Sequence, residues 1–520
     1  MTLPRNLLTT YAQDLYVWCM KKTIRLTPSD REFFGLVARA AFSNPFSDDR
    51  IELDLRIAGC PADLPDDERV RHVTDRVKDR VQGLAARNMA DARLYAGEDG
   101  YLMQSAFLFD VFHCFLDPLD RQILDQVKAG DSPCPVSFAR DVLATLTGRG
   151  FTAPDAQRFL AMFYQVRRAF FFIDRGLVGQ SPSMKQLRLH LWNNVFTHDI
   201  RWYERYLWNR MEDFSTLLLG ETGTGKGTAA AAIGRSGFIP YDERKGSFAE
   251  SFMKNFISIN LLQYPETLIE SELFGHKKGA FTGAIEQHRG IFARCSPHGS
   301  IFLDEIGDVT VPVQIKLLQV LQDRTFSPVG SHEKLRFNGR VIAATNKPLD
   351  DLRRKGLFRD DFYYRLCSDI IVVPPLRKRL RENAGELDAM LSHVVHRMTG
   401  ESAKDLIALV REVIDEDLGP HYSWPGNVRE LEQAVRRILV TRHYQGDRSA
   451  VAPDLQARIL SGIDAGRLSA QELLTSYCAL LHERFGTYEE VARRTGLDRR
   501  TVKKHVEAAS GREAGESYRF

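Results

Sequence analysis

The sequence predicts a three-part chain: a mainly helical N-terminal region, a central α/β fold on a parallel sheet with a helical lid, and an all-α tail. Three observations carry that reading. From about Gly176, short β-branched runs alternate with helical stretches, which is how helices packed on a parallel sheet read. A glycine-rich loop directly follows the first of those runs. Residues 471–520 read as helices broken by a glycine turn and carry a concentrated positive charge.

Size and composition set the limits. At ~100–200 residues per domain, 520 residues make several domains, each able to bury a core. No apolar run approaches the ~18 residues that a membrane span needs, and Asp14 interrupts the stretch where a secretory segment would be apolar. The expectation is a cytoplasmic protein without membrane contact. The 7 cysteines are scattered, with no CxxC or His-Cys spacing. They read as ordinary reduced and mostly buried thiols, with no zinc site and no disulfide framework. A net charge of +3 is too balanced for the whole surface to grip nucleic acid. Between Arg484 and His505, however, 7 basic side chains face 3 acidic ones, the footprint of a small DNA-binding module.

The first domain, 1–175, contains no motif that fixes a chemistry. Val70, Val73, Val77, Val81 and Leu84 recur at steps of three and four, which predicts a helix over Glu68–Arg87. Ile51, Leu53, Leu55 and Ile57 alternate and suggest a strand. The aromatic runs Phe107–Phe115 and Phe159–Phe172 read as buried helices whose rings are core and not a ligand pocket. The second domain, 176–445, should hold strands at Thr216–Leu219, Phe256–Ile259, Ser300–Leu303 and Arg340–Ala344, with a helical subdomain after Pro374. A polar stretch near Gln445–Asp454 places a linker over 446–470, ahead of the tail at 471–520.

Chemistry concentrates at the strand ends, where ligands of open α/β sheets bind. Thr216-Leu-Leu-Leu219 runs into Gly220-Glu221-Thr222-Gly223-Thr224-Gly225-Lys226, matching GxxxxGK between a strand and a helix. The glycines let backbone N–H groups turn toward phosphate oxygens, and Lys226 adds a point charge for the β- and γ-phosphates. The next residue is Gly227, so the hydroxyl that usually ligates Mg²⁺ is missing. Thr228 lies ~100° further around the helix and is not an automatic substitute. Ser300-Ile-Phe-Leu-Asp304-Glu305 ends an apolar strand in two carboxylates, Asp304 suited to hold Mg²⁺ and Glu305 to polarise an attacking water. Arg340–Asn346 is a further strand with an amide at its tip, suited to sense the γ-phosphate of ATP.

With these motifs in hand, the chain resembles the AAA+ activators of sigma-54 RNA polymerase, the bacterial enhancer-binding proteins. Glu270-Ser-Glu-Leu-Phe-Gly-His276 followed by Gly279-Ala280-Phe281-Thr282-Gly283-Ala284 resembles the family's sigma-contacting loop. Leu357-Phe-Arg359 through Arg365-Leu resembles its arginine-finger segment, Trp424-Pro-Gly-Asn-Val-Arg429 its second sensor, and Gly176–Met184 its domain opening. The match covers about 176–442 and, more loosely, the tail. It implies an α/β AAA+ P-loop core, ATP and Mg²⁺ as cofactors, and a homo-oligomer ranging from dimer to hexamer-type ring. Its implied partners are the sigma-54 RNA polymerase holoenzyme and upstream DNA. By position it further implies that Asn260 pairs with Glu305 as a switch, that Arg359 and Arg365 reach the neighbouring subunit's γ-phosphate, and that Arg429 contacts nucleotide in its own subunit. The family usually has Glu where Gly227 stands, and a shorter connection than Arg235–Asn255.

The loop and the tail can also be read directly. A stretch of Gly, Ala and Thr with one Phe is mobile and offers a single apolar anchor, Phe281, beside a hydrogen-bonding Thr282. In the tail, Val491, Leu497 and Val502 should pack two helices together while Arg499, Arg500, Lys503 and Lys504, with Thr501 between them, face DNA. Two other readings stay open. One is a different AAA+ remodeller, such as an unfoldase or helicase loader. The other is a repressor with a decayed ATPase, against which the intact Lys226, Asp304, Glu305, Arg359 and Arg365 argue.

Overall fold

The structure is a computed structural model that describes residues 23–61, 64–419, 422–446, 459, 462–463, 466 and 468–516. The expected linker lies largely outside them. The described chain falls into two compact units, one reaching Arg411 and including Gly426–Arg436, the other holding Glu412–Pro425 and the residues from Arg437 onward. Among the described residues no helix is long and apolar enough to cross a membrane.

The first unit opens with eight main helices: α1 (Pro28–Phe42), α2 (Asp48–Ala58), α3 (Asp66–Ala86), α4 (Gly97–Cys114), α5 (Leu116–Ala129), α6 (Ala139–Gly148), α7 (Ala153–Gly176) and α8 (Pro182–Phe196). Helix α3 forms where the valine periodicity places it, burying Val73, Val77, Val81 and Leu84. The expected strand at Ile51–Ile57 is instead part of α2. Ser47 caps its N-terminus, Asp48 and Asp49 oppose the helix dipole, and Gly59 closes it in the left-handed conformation. Leu53 and Ile57, four apart, then share the buried face, and Arg50 pairs with Asp54 at the same spacing. Alternation over four residues fits both periods, and the caps decide. The thiols also depart from expectation: of the six described cysteines only Cys478 is buried, and Cys114 is exposed.

The sheet follows. Strands β1 (Thr216–Leu219), β2 (Phe256–Asn260), β3 (Ser300–Asp304), β4 (Arg340–Thr345) and β5 (Asp369–Val372) lie in the order β2-β3-β4-β1-β5, all parallel. Four of them begin where the sequence placed them; β5 is an additional edge strand. Both faces are covered, one by a cluster around Leu303, Val313 and Phe362, the other by α7, α8 and α9 (Lys226–Gly234). Beneath the strands Arg340 is enclosed, donating to Phe214 O, Asn194 Oδ1 and Thr216 Oγ1. Further helices are α10 (Glu266–Phe274), α11 (Val311–Asp323), α12 (Asp360–Leu366), α13 (Leu376–Glu382) and α14 (Glu386–Thr399), then Lys404–Asp417 and Asn427–Thr441.

A buried ion pair locks the entry to this core. Arg379 Nε donates to Glu386 Oε1 at 2.7 Å, and Glu386 Oε2 accepts from the backbone N–H groups of Gln180 and Ser181. Gly179, at φ 116°, passes so close that a Cβ there would fall 2.0 Å from Glu386 Oε1. In the second unit, Ala470–Phe485, Tyr488–Thr495 and Arg499–Glu516 pack around Cys478, Val491, Val502 and Val506, with Leu497 partly buried against them.

Candidate functional site

The site begins where β1 gives way to α9. Gly223 and Gly225 take positive φ of 79° and 102°, turning the loop around the position where phosphates would sit. A Cβ on Gly223 would meet Gly426 O at 2.2 Å, so the loop is also pressed against the segment that opens Asn427–Thr441. Lys226 is buried and its Nζ donates to Gly220 O at 2.9 Å and Glu221 O at 3.1 Å, and burial lowers its pKa.

Two residues that sequence reasoning missed hold the loop's shoulder. Arg377 on α13 forms two hydrogen bonds to Glu221 and keeps that carboxyl below its usual range. Asn427 Nδ2 donates to Glu221 Oε2 and Thr222 O, while its Oδ1 accepts from Leu376 N. Asn427 stands inside the Trp424–Arg429 motif, so its signal was present; nothing in the local pattern marked Arg377. Arg429 is exposed, with its Cβ 3.0 Å from where a Gly223 Cβ would sit, and its charge acts on Lys226 and Asp304.

Asp304 and Glu305 follow at the tip of β3. Burial raises the pKa of Asp304; burial and then the neighbouring Asp304 charge raise that of Glu305. Glu305 has a left-handed backbone, φ 59°, and its buried Oε2 has no hydrogen-bond partner. Beyond the tip of β4, Asn346 Nδ2 donates to Thr222 Oγ1 at 2.8 Å, which brings this amide onto the glycine loop. Asn260 also stands at a strand tip, beside Asp304 in the register, but its Oδ1 accepts from Leu262 N at 2.9 Å. No hydrogen bond joins it to Glu305 in this arrangement. Gly227 and Thr228 are both exposed; the Thr228 methyl lies 3.6 Å from where a Gly176 Cβ would sit, so Thr228 faces α7.

Arg359 and Arg365 lie apart from the phosphate loop in their own chain. Arg359 pairs with Asp361 at 2.7 Å in the open, and Arg365 Nε donates to Leu321 O at 2.9 Å.

From Asn260 a short path leads to the 279–284 loop: a single 3-10 turn over Leu261–Gln263, then α10, then a neck in which His276 and His288 exchange backbone hydrogen bonds at 3.0 Å. Gly279 N donates to Ala284 O at 2.8 Å, closing the loop on itself. Phe281 remains 36% exposed with its ring edge-to-face on His276, Thr282 is exposed, and Ala280 rests against Gly330. In the tail, Arg499 pairs with Glu489 and Lys503 with Glu507, and Thr501 is engaged with Asp498 at the helix start. Arg500 and Lys504 are exposed, with no ion pair among the described residues.

Comparison with known proteins adds the family. The Sigma-54 interaction domain matches residues 201–371. The transcriptional regulatory protein ZraR of Klebsiella oxytoca is 35% identical over 332 residues, covering 63% of this chain and 67% of ZraR. The chain belongs to the sigma-54-dependent activators. The nitrogen fixation protein AnfA of Azotobacter vinelandii is 36% identical over 298 residues, 56% of this activator and 52% of AnfA. AtoC of Escherichia coli (strain K12) is 39% identical over 226 residues, 44% of the activator and 45% of AtoC. The activator thus spans about half the length of these two relatives. A solved structure of NtrX from Brucella abortus aligns over 72% of the activator and 80% of its own chain at 22% identity, with a TM-score of 0.37. The parallel sheet, the glycine loop and the helices after β5 form the AAA+ core of this activator, flanked by a helical N-terminal region and C-terminal helices.

Proposed function

We propose that the chain is a cytoplasmic, ring-forming ATPase that binds upstream DNA through its tail and couples ATP hydrolysis to remodelling of sigma-54 RNA polymerase holoenzyme, so that promoter DNA opens. One observation supports it above the others: the tip of β2, where Asn260 stands beside Asp304 in the register, connects through one turn and one short helix to an exposed Phe281–Thr282 loop. Such a connection can turn a change at a phosphate into a movement of a contact surface.

The residues have separate tasks. The Gly220–Lys226 backbone and Lys226 bind the phosphates, with Thr228 and Arg429 at the rim of that site. Glu305 takes a proton from the attacking water. Asn346, held on the loop by Thr222, senses the γ-phosphate, and Asn260 exchanges its present bond to Leu262 for one to Glu305. A divalent cation fits the site chemically, because Asp304 is raised by burial and Glu305 keeps an orphaned buried oxygen. Asp304 would hold Mg²⁺, which neutralises charge developing on the phosphates. Gly227 brings no hydroxyl after the lysine, so among these residues Asp304 is the one that would hold the ion. Arg359 and Arg365 act on a neighbouring subunit's nucleotide, and residues up to about 175 gate the ring in response to a signal.

Thr282→Ala tests the contact. ATP turnover should stay within about threefold of normal, while capture of sigma-54 with an ATP transition-state analogue should weaken by ~30-fold or more, the loss typical of an interface hot spot. Full transcription activation by this variant would rule the loop out as the contact.

In the tail, Arg500→Ala should cost about 1–3 kcal/mol at a specific site, and Lys503→Ala should lower the salt slope of binding by about 1. Both leave ATPase unchanged. Site-specific binding that survives deletion of Glu472–Phe520 would contradict the DNA assignment.

A further inference from the structure

The N-terminal aromatics do not all serve as core. Helices α1, α2, α4 and α7 leave between them a cavity of about 300 Å³, closed on one side by Trp192 of α8 and by Ile200 and Glu204 beyond it. That volume lies at the lower end of the ~300–1,000 Å³ found for small-molecule sites. Rings of Phe42, Phe109, Phe112, Phe163, Phe170 and Trp192 line it. Its cations are already in ion pairs, Arg50 with Asp54, Arg69 with Asp66 and Arg167 with Asp120, although the buried Nε of Arg69 has no hydrogen-bond partner among the described residues. An anion entering would find no unpartnered positive charge and would lose its hydration.

Beside the Arg69 donor, the lining offers a ring nitrogen as an acceptor. His113 packs on Phe109 with ring centroids 3.9 Å apart and the rings tilted by 33°, and its Nδ1 lies 2.8 Å from Phe109 O. A carbonyl only accepts, so Nδ1 carries the proton. Burial pulls the pKa down to about 3, which keeps the ring neutral at physiological pH. Nε2 is therefore an acceptor, on a side chain that keeps part of its surface open to the cavity.

The cavity also has a mechanical outlet. Helix α7 lines it with Phe159, Met162, Phe163, Val166 and Phe170, while Ala169 and Ile173 of the same helix pack with Ala229, Ala230 and Ile233 of α9. Between those faces Arg168 is fully buried, donating to Arg235 O and Gly237 O just past the end of α9. The helix behind the phosphate loop is thus one helix away from the cavity.

We propose that this cavity binds a small neutral aromatic molecule with one O–H or N–H donor, received by His113 Nε2, and that its occupancy shifts α7 against α9 and so alters ATP turnover. The second part rests on the ATPase function proposed above; the binding does not.

The test uses the full chain and three probes, 1-naphthol, naphthalene and 1-naphthoate, with binding read by calorimetry and by thermal shift. Naphthol should bind saturably, about tenfold more tightly than naphthalene, the difference of one buried hydrogen bond, and naphthoate more weakly than either. His113→Phe should erase the preference for naphthol over naphthalene while leaving binding of naphthalene in place. Val166→Phe and Leu108→Phe, each filling the cavity, should abolish binding without lowering the unfolding midpoint. No saturable binding of either neutral probe, or binding untouched by a folded cavity-filling variant, overturns the site. A naphthol preference that survives His113→Phe overturns the donor assignment. Naphthol binding with unchanged turnover, in protein that hydrolyses ATP, overturns the coupling. Protein that hydrolyses no ATP refutes the ATPase reading instead, and calorimetry still decides the site.

Discussion

Glu305→Gln should lower ATP turnover by about 10²–10⁴-fold, the range for loss of a general base, and should raise the unfolding midpoint of the nucleotide-free protein. The second effect follows from the sign of the pKa change. Burial and the Asp304 charge raise the Glu305 carboxyl above its unfolded value, so the folded state favours the protonated form. That contribution is present at low pH and is lost as pH rises through the raised pKa, leaving a charged, incompletely bonded carboxylate at neutral pH. The amide removes the charge at nearly constant shape. The gain should therefore appear at pH 7.5, at roughly 2–4 °C per kcal/mol, and shrink toward pH 4. Calorimetric scans at the two pH values check it. An unfolding midpoint lowered equally at both would show that the carboxylate stabilises the fold.

Arg365→Ala should reduce turnover by about 10³–10⁵-fold, the contribution of an arginine finger, with nucleotide affinity nearly unchanged. Among the described residues of its own chain this guanidinium donates to Leu321 O and to no group of the phosphate site, so its removal leaves the site of its own subunit intact. Mixing makes the test decisive. Arg365→Ala and Glu305→Gln should each be inactive alone, yet in the proposed ring a mixture would contain interfaces with an intact Glu305 on one side and an intact Arg365 on the other. Turnover should return on mixing. A finger acting within its own subunit predicts no recovery at all.

Much of this was legible in the residues, for identifiable reasons. Buried parallel strands are short apolar runs, so β1 to β4 could be placed, and the glycine loop and tip carboxylates follow them at fixed offsets. Strand β5, Asp369–Val372, lies at the sheet edge with Val372 exposed and announced itself less clearly. Helix α2 was misread because Ile51, Leu53, Leu55 and Ile57 satisfy both periods over so few residues. Arg377 and Arg168 were out of reach, since their partners, Glu221 and the carbonyls of Arg235 and Gly237, are distant in sequence. The cavity could not be foreseen either: a ring lining a void and a ring filling a core have the same spacing, and only packing separates them.

Helix α7 bears on where a chain of this kind can be divided. Recombination that joins a new head at Gly176 would discard Ala169 and Ile173 from under α9 and leave the carbonyls of Arg235 and Gly237 without Arg168. The recipient would inherit an exposed apolar patch beside its phosphate loop. A viable graft must cross over ahead of Ala153, so the unit of inheritance for this AAA+ core includes a helix that, by position, belongs to the N-terminal region.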